Sequence, residues 1–556
     1  MDHDQLSRHS AFGGAERVSG TEAANPSPGG RLRDRWLRSS PLEQRLPLLV
    51  VAALSALLWA LCFQAETRLL LPWIALAPLV AASLHVGSRA LPGRFLLLVG
   101  WLHGILFWWL TIPWIVPTLV RFGQLPVGLS VALLTLLAAY LGSYHGLFLL
   151  ACRVLARRGV GWWSAPAVWV LCEWLRGTLM SGFPWNLAGY SVVDVPGVLA
   201  ASQVLGVSGW SALVLLVNCA LARAWVDGFR RRALLRCAVV ASGVALVAAV
   251  SAALPAIGAG AVGEGSSPRF EPPVSIVQPN TAVVLDVDAL EIQRGYRRLL
   301  ELSECPGVGG LVLWPESAAW PFVFPRDPQL SADVARITDA GCALLLNSSR
   351  RDGERTYNTA VLALPGGATQ SYDKMHLVPF GEYVPYGDIL PFALQLARNA
   401  GAFSKGSDLT ILEWGVLRLG VSICFEITFA DEVAARSRAG ANVLVTVTND
   451  AWYGDSSAPW QHLRAARFRA AENRRWLLRA ALTGISARID PLGRLSESLE
   501  LSESGTIEAA VEPRQQLTWF SRFPLWVEAS CLAVLACAGF VGRRRASPGA
   551  PGQAAR

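Results

Sequence analysis

Eight apolar runs, each long enough to cross a bilayer as a helix, leave this chain few soluble folds to choose from. The first, LPLLVVAALSALLWALCF, occupies Leu46–Phe63. Further runs lie near 68–88, 95–119, 127–152, 160–180, 196–222, 236–256 and 523–542. A hydrocarbon core is crossed by about 20 helical residues, which each run supplies. The balance of the 556 residues agrees, with 53% hydrophobic, 16% charged and a mean hydropathy of +0.37. That composition excludes an ordinary soluble multidomain protein. The second run follows the first so closely that the first reads as a retained helix and not a cleaved leader.

Arginine placement predicts the orientation, because cationic loops are held on the cytoplasmic side. Arg35, Arg38 and Arg45 precede the first run, and Arg89 and Arg94 follow the second. Arg153, Arg157 and Arg158 follow the fourth, Arg223, Arg230, Arg231, Arg232 and Arg236 surround the gap after the sixth, and Arg543, Arg544 and Arg545 follow the last. With eight spans, all of these fall on one side. Residues 1–45 are then expected to form a disordered cytoplasmic tail and 46–256 a membrane domain of seven helices. Residues 257–521 would be an extracytoplasmic domain, 522–542 an eighth span and 543–556 a second cytoplasmic tail. The arginines do not form a stripe with interleaved aromatics, so no nucleic-acid partner is expected.

The segment 257–521 is more polar and alternates strand-like with helix-like stretches. VSIVQPN, LVLW, ALLLNS, TAVLALP, LRLGVSIC and NVLVTVTND read as strands, several of them apolar throughout as in sheets covered on both faces. ALEIQRGYRRLLELS and WQHLRAARFRAAENRRW read as helices, and the whole as a globular α/β domain. Ten cysteines occur without a CxxC pair, so neither a zinc site nor a disulfide framework is implied. Cys305 and Cys342 share the outer segment with Cys424, which makes a disulfide chemically possible. The run GCALLLN nevertheless predicts Cys342 as a buried thiol.

Of 49 basic residues only two, Lys374 and Lys405, are lysines. A lysine kept where arginine fills nearly every other basic position suggests work that a permanently charged guanidinium cannot do. Lys374 lies in SYDKMHLVPFGEYVP, between Glu316 in LVLWPES and Cys424 in VSICFEITF. Cys424 ends a strand pattern and precedes a helical one, a corner that exposes a nucleophile and brings backbone N–H groups near it. Glu316 also ends a strand, within reach of a thiol as a base. Each signal alone has an ordinary explanation: a buried cysteine, a solvated carboxylate, a surface lysine. Their joint placement beside strands of one polar domain points to a catalytic set.

WPES, YDKMHLVPFGE and ICFE, in that order, resemble the Glu, Lys and Cys signatures of the nitrilase superfamily of carbon-nitrogen hydrolases. HLVPFGEYVP, TNDAWYGDSSAPWQHL and, upstream, EWLRG and SGFPWNLAGYS narrow the resemblance to the apolipoprotein N-acyltransferases of bacteria. The resemblance implies an α-β-β-α sandwich on the periplasmic side of the cytoplasmic membrane, with both termini cytoplasmic. It implies ping-pong acyl transfer from a phospholipid, phosphatidylethanolamine by expectation, to the α-amino group of a diacylglyceryl-cysteine apolipoprotein. No metal, nucleotide or other cofactor is implied. Glu316 would be the base, Cys424 the nucleophile, and Lys374 an oxyanion donor together with a backbone N–H. Glu382 would orient Lys374 or the substrate, and Glu426 would support the site from further out. Phe425 departs from the Tyr frequent in the family, so no hydroxyl contact is expected there.

A thioester must be kept from water, and apolar loops would suit that task. Phe392 and Leu394 are candidates for lipid contact, ordinary core packing being the other reading. For Phe183 and Trp185, contact with lipid tails near the entrance and aromatic anchoring at the interface stay open. Asn347, Asn358 and Asn449, at strand ends, are expected to tie loops together. His376 and His462 are the only histidines of the outer segment, and His376 reads as a scaffold residue. The competing functions are a membrane-tethered amidase for a small amide, and a transporter or scaffold that has lost catalysis.

Overall fold

The computed structural model describes residues 41–66, 68–84, 91–261, 270–281, 289–384 and 403–546. The tails 1–40 and 547–556, together with Phe392 and Leu394, lie outside the described residues.

The apolar half is helical. Its helices are α1 (Pro41–Leu61), α2 (Ala77–Leu84), α3 (Gly93–Thr111), α4 (Ile115–Arg121), α5 (Val127–Arg157), α6 (Ala165–Thr178), α7 (Val198–Val226) and α8 (Arg231–Ala261). Among the described residues, four helices are long and apolar enough to cross a membrane: Gly93–Thr111, Val127–Arg157, Val198–Val226 and Arg231–Ala253. Shorter apolar helices cover 45–61, 71–84 and 526–540. Two predicted runs end their helix early. The run at 95–119 ends its first helix at Thr111, just before Pro113, whose ring cannot continue an α-helix. The run at 160–180 holds only the 14 residues of α6, which carries buried Glu173 and Arg176 and gives way to Met180 at φ +53°. Hydropathy averages over a window, and two buried ionisable residues or a local φ reversal do not register in it.

The polar half is a sandwich. One six-stranded sheet runs β12-β1-β2-β3-β4-β5 and the other β11-β10-β9-β8-β7-β6. The first contains β1 (Phe270–Gln278), β2 (Leu311–Leu313), β3 (Ala343–Asp352), β4 (Arg355–Ala363), β5 (Thr369–Asp373) and β12 (Gly505–Val511). The second contains β6 (Leu412–Trp414), β7 (Leu417–Ile423), β8 (Val443–Thr448), β9 (Leu477–Ala481), β10 (Ala487–Ile489) and β11 (Leu495–Ser498). At each centre the strands are parallel: β1-β2-β3 in one sheet and β7-β8-β9 in the other.

Strand periodicity explains the layers. Ile276, Leu313 and Leu345 face Val421, Val445 and Leu478 in one core between the sheets. Their neighbours Val277, Val312 and Leu344 pack outward against α9 (Ala289–Glu301) and α10 (Pro328–Asp339). On the other side, Leu444 and Leu477 pack against α11 (Ala430–Arg438) and α12 (Ala458–Asn473). The result is the expected α-β-β-α sandwich, and all six predicted strands and both predicted helices lie in it. α13 (Trp519–Arg522) and α14 (Trp526–Ala546) close the chain.

The two halves share a core. Phe425, Phe429, Ala458, Ala465 and Phe468 of the sandwich belong to the same apolar cluster as Trp59, Phe107, Trp169 and Trp210 of the membrane helices. At the break in α7, Gly206 has φ +61°, which frees the Val207 N–H to donate to Glu472 Oε1 at 2.8 Å. A Cβ on Gly206 would lie 2.5 Å from the Phe520 ring, so only glycine fits.

The predicted Cys342 thiol is corrected. Cys305 and Cys342 form a disulfide with Cα atoms 5.8 Å apart. Strand periodicity reported the burial of Cys342 but carries no information on which loop lies beside it.

Candidate active site

The parallel strands of both sheets end at one place, and the site is assembled from their carboxyl ends. Glu316 follows β2 by three residues, Lys374 follows β5 by one, and Cys424 follows β7 by one. All three are buried. Lys374 Nζ lies 2.9 Å from Glu382 Oε1 and 3.6 Å from Glu316 Oε1. The Cys424 thiol interacts electrostatically with both Glu316 and Lys374.

Cys424 occupies the left-handed region at φ +52°. For a residue with a Cβ this costs on the order of 1 kcal/mol or more and persists only when the surroundings hold it. Glu426 holds one side. Its Oε2 accepts from Ile423 N–H at 2.8 Å, while Oε1 accepts from Met375 N–H at 2.8 Å and His376 N–H at 3.1 Å. Arg436 Nη2, at 3.1 Å from Oε2, neutralises the carboxylate, and Tyr372 donates to Oε1 at 2.7 Å. One buried carboxylate therefore ties the strand end before Cys424 to the backbone just after Lys374. The sequence placed Glu426 near the site without this role.

Asn358 is the residue that sequence reasoning undervalued. Its Nδ2 donates to Glu316 Oε1 at 2.9 Å and to Glu382 Oε1 at 2.8 Å, and Asn347 Nδ2 donates back to its Oδ1 at 2.7 Å. Its signal was an amide immediately before an apolar strand pattern, which β4 extends to include it and where burial demands a partner. Asn347 also accepts from Ser317 N–H at 3.0 Å, and the Asn449 N–H donates to Glu316 Oε2 at 3.1 Å. Glu382 reaches back through Oε2 to the Val378 N–H at 2.8 Å, which fixes the loop carrying it.

The electrostatics suit a base and a neutral nucleophile at rest. Burial raises Glu316 above the usual carboxylate range, Lys374 pulls it down and Glu382 pushes it up. Burial raises the Cys424 thiol well above its ordinary value, the Glu316 charge adds to this, and Lys374 opposes it. Burial disfavours the Lys374 cation, but Glu382, Glu316 and Cys424 outweigh it and hold the ammonium charged. In such a set the carboxylate can take a proton from sulfur, and the fixed cation can stabilise negative charge on an acyl oxygen. Among the described residues no cluster of three or more His, Cys, Asp or Glu is arranged to hold a metal ion.

The aromatic candidates lie between the two halves. Trp185 is 3% exposed, its indole N–H donates to Gln461 Oε1 at 2.6 Å, and its ring stacks on Phe425 at 6.4 Å between centroids. Phe183, partly buried, packs against Phe425, Trp185 and Trp108. Phe425, where no hydroxyl was expected, is wholly engaged in this stack and with Phe429. His376 is not beside Cys424. It bridges Glu432 Oε1 at 2.8 Å and the Ser181 carbonyl at 2.7 Å and stacks on Phe429, so it joins the Lys374 loop to the membrane half.

Residues 55–220 match the family described as apolipoprotein N-acyltransferase N-terminal domain, and residues 274–517 match carbon-nitrogen hydrolase. An apolipoprotein N-acyltransferase of Geobacter metallireducens is 34% identical over 508 residues, 90% of this chain and 96% of its own. One from Brucella melitensis biotype 1 is 33% identical over 81% of this chain and 86% of its own length. Among solved structures, a CN-hydrolase superfamily protein of Xanthomonas campestris aligns with 46% of this chain and 95% of its own at 20% identity and a TM-score of 0.35.

Proposed function

The chain belongs to the apolipoprotein N-acyltransferase family, and from that premise we propose how Glu316, Lys374 and Cys424 carry out the N-acylation of apolipoproteins. The observation that carries the reading is the burial of these three side chains against one another at the face where the sandwich shares its core with the membrane helices.

In the first half-reaction Glu316 accepts the Cys424 proton as sulfur attacks the carbonyl carbon of a phospholipid acyl ester. Lys374 and a backbone N–H beside Cys424 receive the developing oxyanion. Collapse expels the glyceryl oxygen, which takes the proton from Glu316 and leaves as a lysophospholipid, with the acyl group on sulfur as a thioester. In the second, the free α-amino group of a diacylglyceryl-cysteine attacks the thioester carbonyl. Glu316 takes a proton from nitrogen and returns it to the departing sulfur. The transfer from ester through thioester to amide runs downhill overall, so no metal or nucleotide is called for. The donor we propose is phosphatidylethanolamine.

Asn358 and Glu382 serve as positioning residues, the first for both carboxylates and the second for the Lys374 ammonium. The apolar stack of Phe183, Trp185 and Phe425 would border the acyl chain and keep water from the thioester. Eight spans with the catalytic domain in the periplasm fit the arginine distribution. The Cys305–Cys342 disulfide supports the same side, because disulfides persist in oxidising compartments.

The test is incubation of the purified protein with phosphatidylethanolamine carrying a labelled sn-1 chain, followed by mass spectrometry of the Cys424 peptide. A hydroxylamine-labile acyl adduct that vanishes on addition of a diacylglyceryl peptide with a free amine is the expected result. Absence of any adduct from protein with a reactive Cys424 would overturn the thioester route.

A further inference from the structure

We propose that α12 is the lever through which the membrane half positions the nucleophile, with Gln461 and His462 as its two positioning residues. The inference rests on the acyl-transfer reading above and adds to it a pair of residues outside the Glu316, Lys374 and Cys424 set.

Adjacent residues on a helix point about 100° apart, and these two point at different halves of the molecule. Gln461, 4% exposed, faces the membrane helices. Its Nε2 donates to the carbonyls of Phe63 at 3.1 Å and Thr111 at 3.0 Å. Those carbonyls lie at the carboxyl ends of α1 and α3, where a helix leaves acceptors without intrahelical partners. Its Oε1 accepts the Trp185 indole N–H at 2.6 Å, and Arg176 Nη1 holds the Trp185 carbonyl at 2.7 Å. One amide thus gathers three separate segments of the membrane half. Arg464, one turn on, adds the carbonyls of Cys62 at 2.9 Å and Gln64 at 2.6 Å.

His462, fully buried, faces the active site. Its Nε2 lies 3.1 Å from the Cys424 carbonyl oxygen. A carbonyl only accepts, so the ring proton sits on Nε2. Nδ1 lies 3.1 Å from Asp450 Oδ1 and 3.3 Å from Arg479 Nη2, and Arg479 pairs with Asp450 at 2.5 Å. Trp185 covers both positions, since its ring also stacks on the His462 ring at 5.6 Å. Glu426 holds the strand end one residue before the strained Cys424 turn, through the Ile423 N–H, and His462 holds the Cys424 carbonyl itself. Without the His462 bond the peptide plane after the left-handed cysteine is free to turn, and the sulfur can swing away from Glu316. The grip on the carbonyl side is anchored, one residue away, in the membrane helices.

Gln461→Met keeps the length and loses the hydrogen bonds to Phe63, Thr111 and Trp185, together with one to Ser457 on its own helix, while His462→Phe keeps a ring beneath Trp185 and loses the donor to Cys424. Both would be compared with wild type in single-turnover acylation of Cys424 by p-nitrophenyl butyrate, a soluble ester that bypasses lipid docking, and by phosphatidylethanolamine. The expected result is a fall of about tenfold or more with both donors in each variant, the scale of one buried group left unpaired. The double variant is expected to fall no further than the worse single one, because the two residues act through one chain. A purely structural role would give independent, multiplying losses. Acylation by the soluble ester within twofold of wild type, or multiplying losses, would overturn the proposal. If Gln461→Met does not accumulate as folded protein, His462→Phe decides with the same readout. Wild-type protein inert to both esters would instead count against the acyl-transfer reading.

Discussion

Asn358 donates from a single amide nitrogen to two carboxylates, Glu316 at 2.9 Å and Glu382 at 2.8 Å, with Lys374 lying against the same pair. The arrangement keeps two acids from repelling each other apart while leaving Glu316 basic. Replacing Asn358 with Ala removes a hydrogen bond to charged groups worth about 1.5–3 kcal/mol. Thioester formation should therefore slow by roughly 10- to 100-fold. Single-turnover acylation checks this, and a rate within twofold of wild type would show that Asn358 is dispensable.

The rate of thioester formation should fall at low pH with a midpoint above the ordinary glutamate value of about 4.3. As the proposed base, Glu316 would accept the thiol proton only as a carboxylate, and its pKa is raised by burial and, more weakly, by Glu382. The base is consequently lost as pH falls through this raised value. In Glu382→Gln the neighbouring charge is gone and the acid limb should move to lower pH, while the amplitude drops because Lys374 loses a partner. An acid limb at or below 4.3 in the wild type would contradict the assignment of Glu316 as base.

Cys305 and Cys342 close a loop across a sequence separation of 37. Chain-entropy arguments give such a crosslink about 4 kcal/mol of stabilisation relative to the reduced protein. Cys305→Ser should lower the thermal midpoint of the catalytic domain without changing the acyl-enzyme chemistry. Differential alkylation of protein isolated from membranes should find Cys424 reactive after unfolding and Cys305 and Cys342 only after reduction. Both alkylated without reductant would refute the disulfide.

Gly206→Ala places a Cβ 2.5 Å from the Phe520 ring and forces a left-handed φ on a residue that resists it. The kink in α7 should straighten or shift, which removes the Val207 N–H from Glu472. The cost is about 1–3 kcal/mol, concentrated where the two halves join. Limited proteolysis between α12 and α13 is the sensitive readout, with faster cleavage expected than in wild type. An unchanged digestion pattern would mean that this junction is not what holds the halves together.

The sequence determined the class of this protein, since apolar runs of bilayer length and short apolar strand runs alternating with helical stretches leave few folded solutions. It also singled out Glu316, Lys374 and Cys424, because a strand end, a rare lysine and a strand-to-helix corner are local signals. Glu382 and Glu426 were visible as neighbours in the same motifs, but their partners were not. Tertiary structure alone decided the rest. Asn358 bonding two carboxylates, Cys305 bonded to Cys342, His376 reaching Ser181 and Gln461 gathering Phe63, Thr111 and Trp185 are contacts between segments far apart in the chain. Hydropathy and periodicity report which way a side chain faces relative to its own backbone. Which polar group waits there depends on how separate elements stack, and a buried donor accepts whatever partner the packing brings within reach.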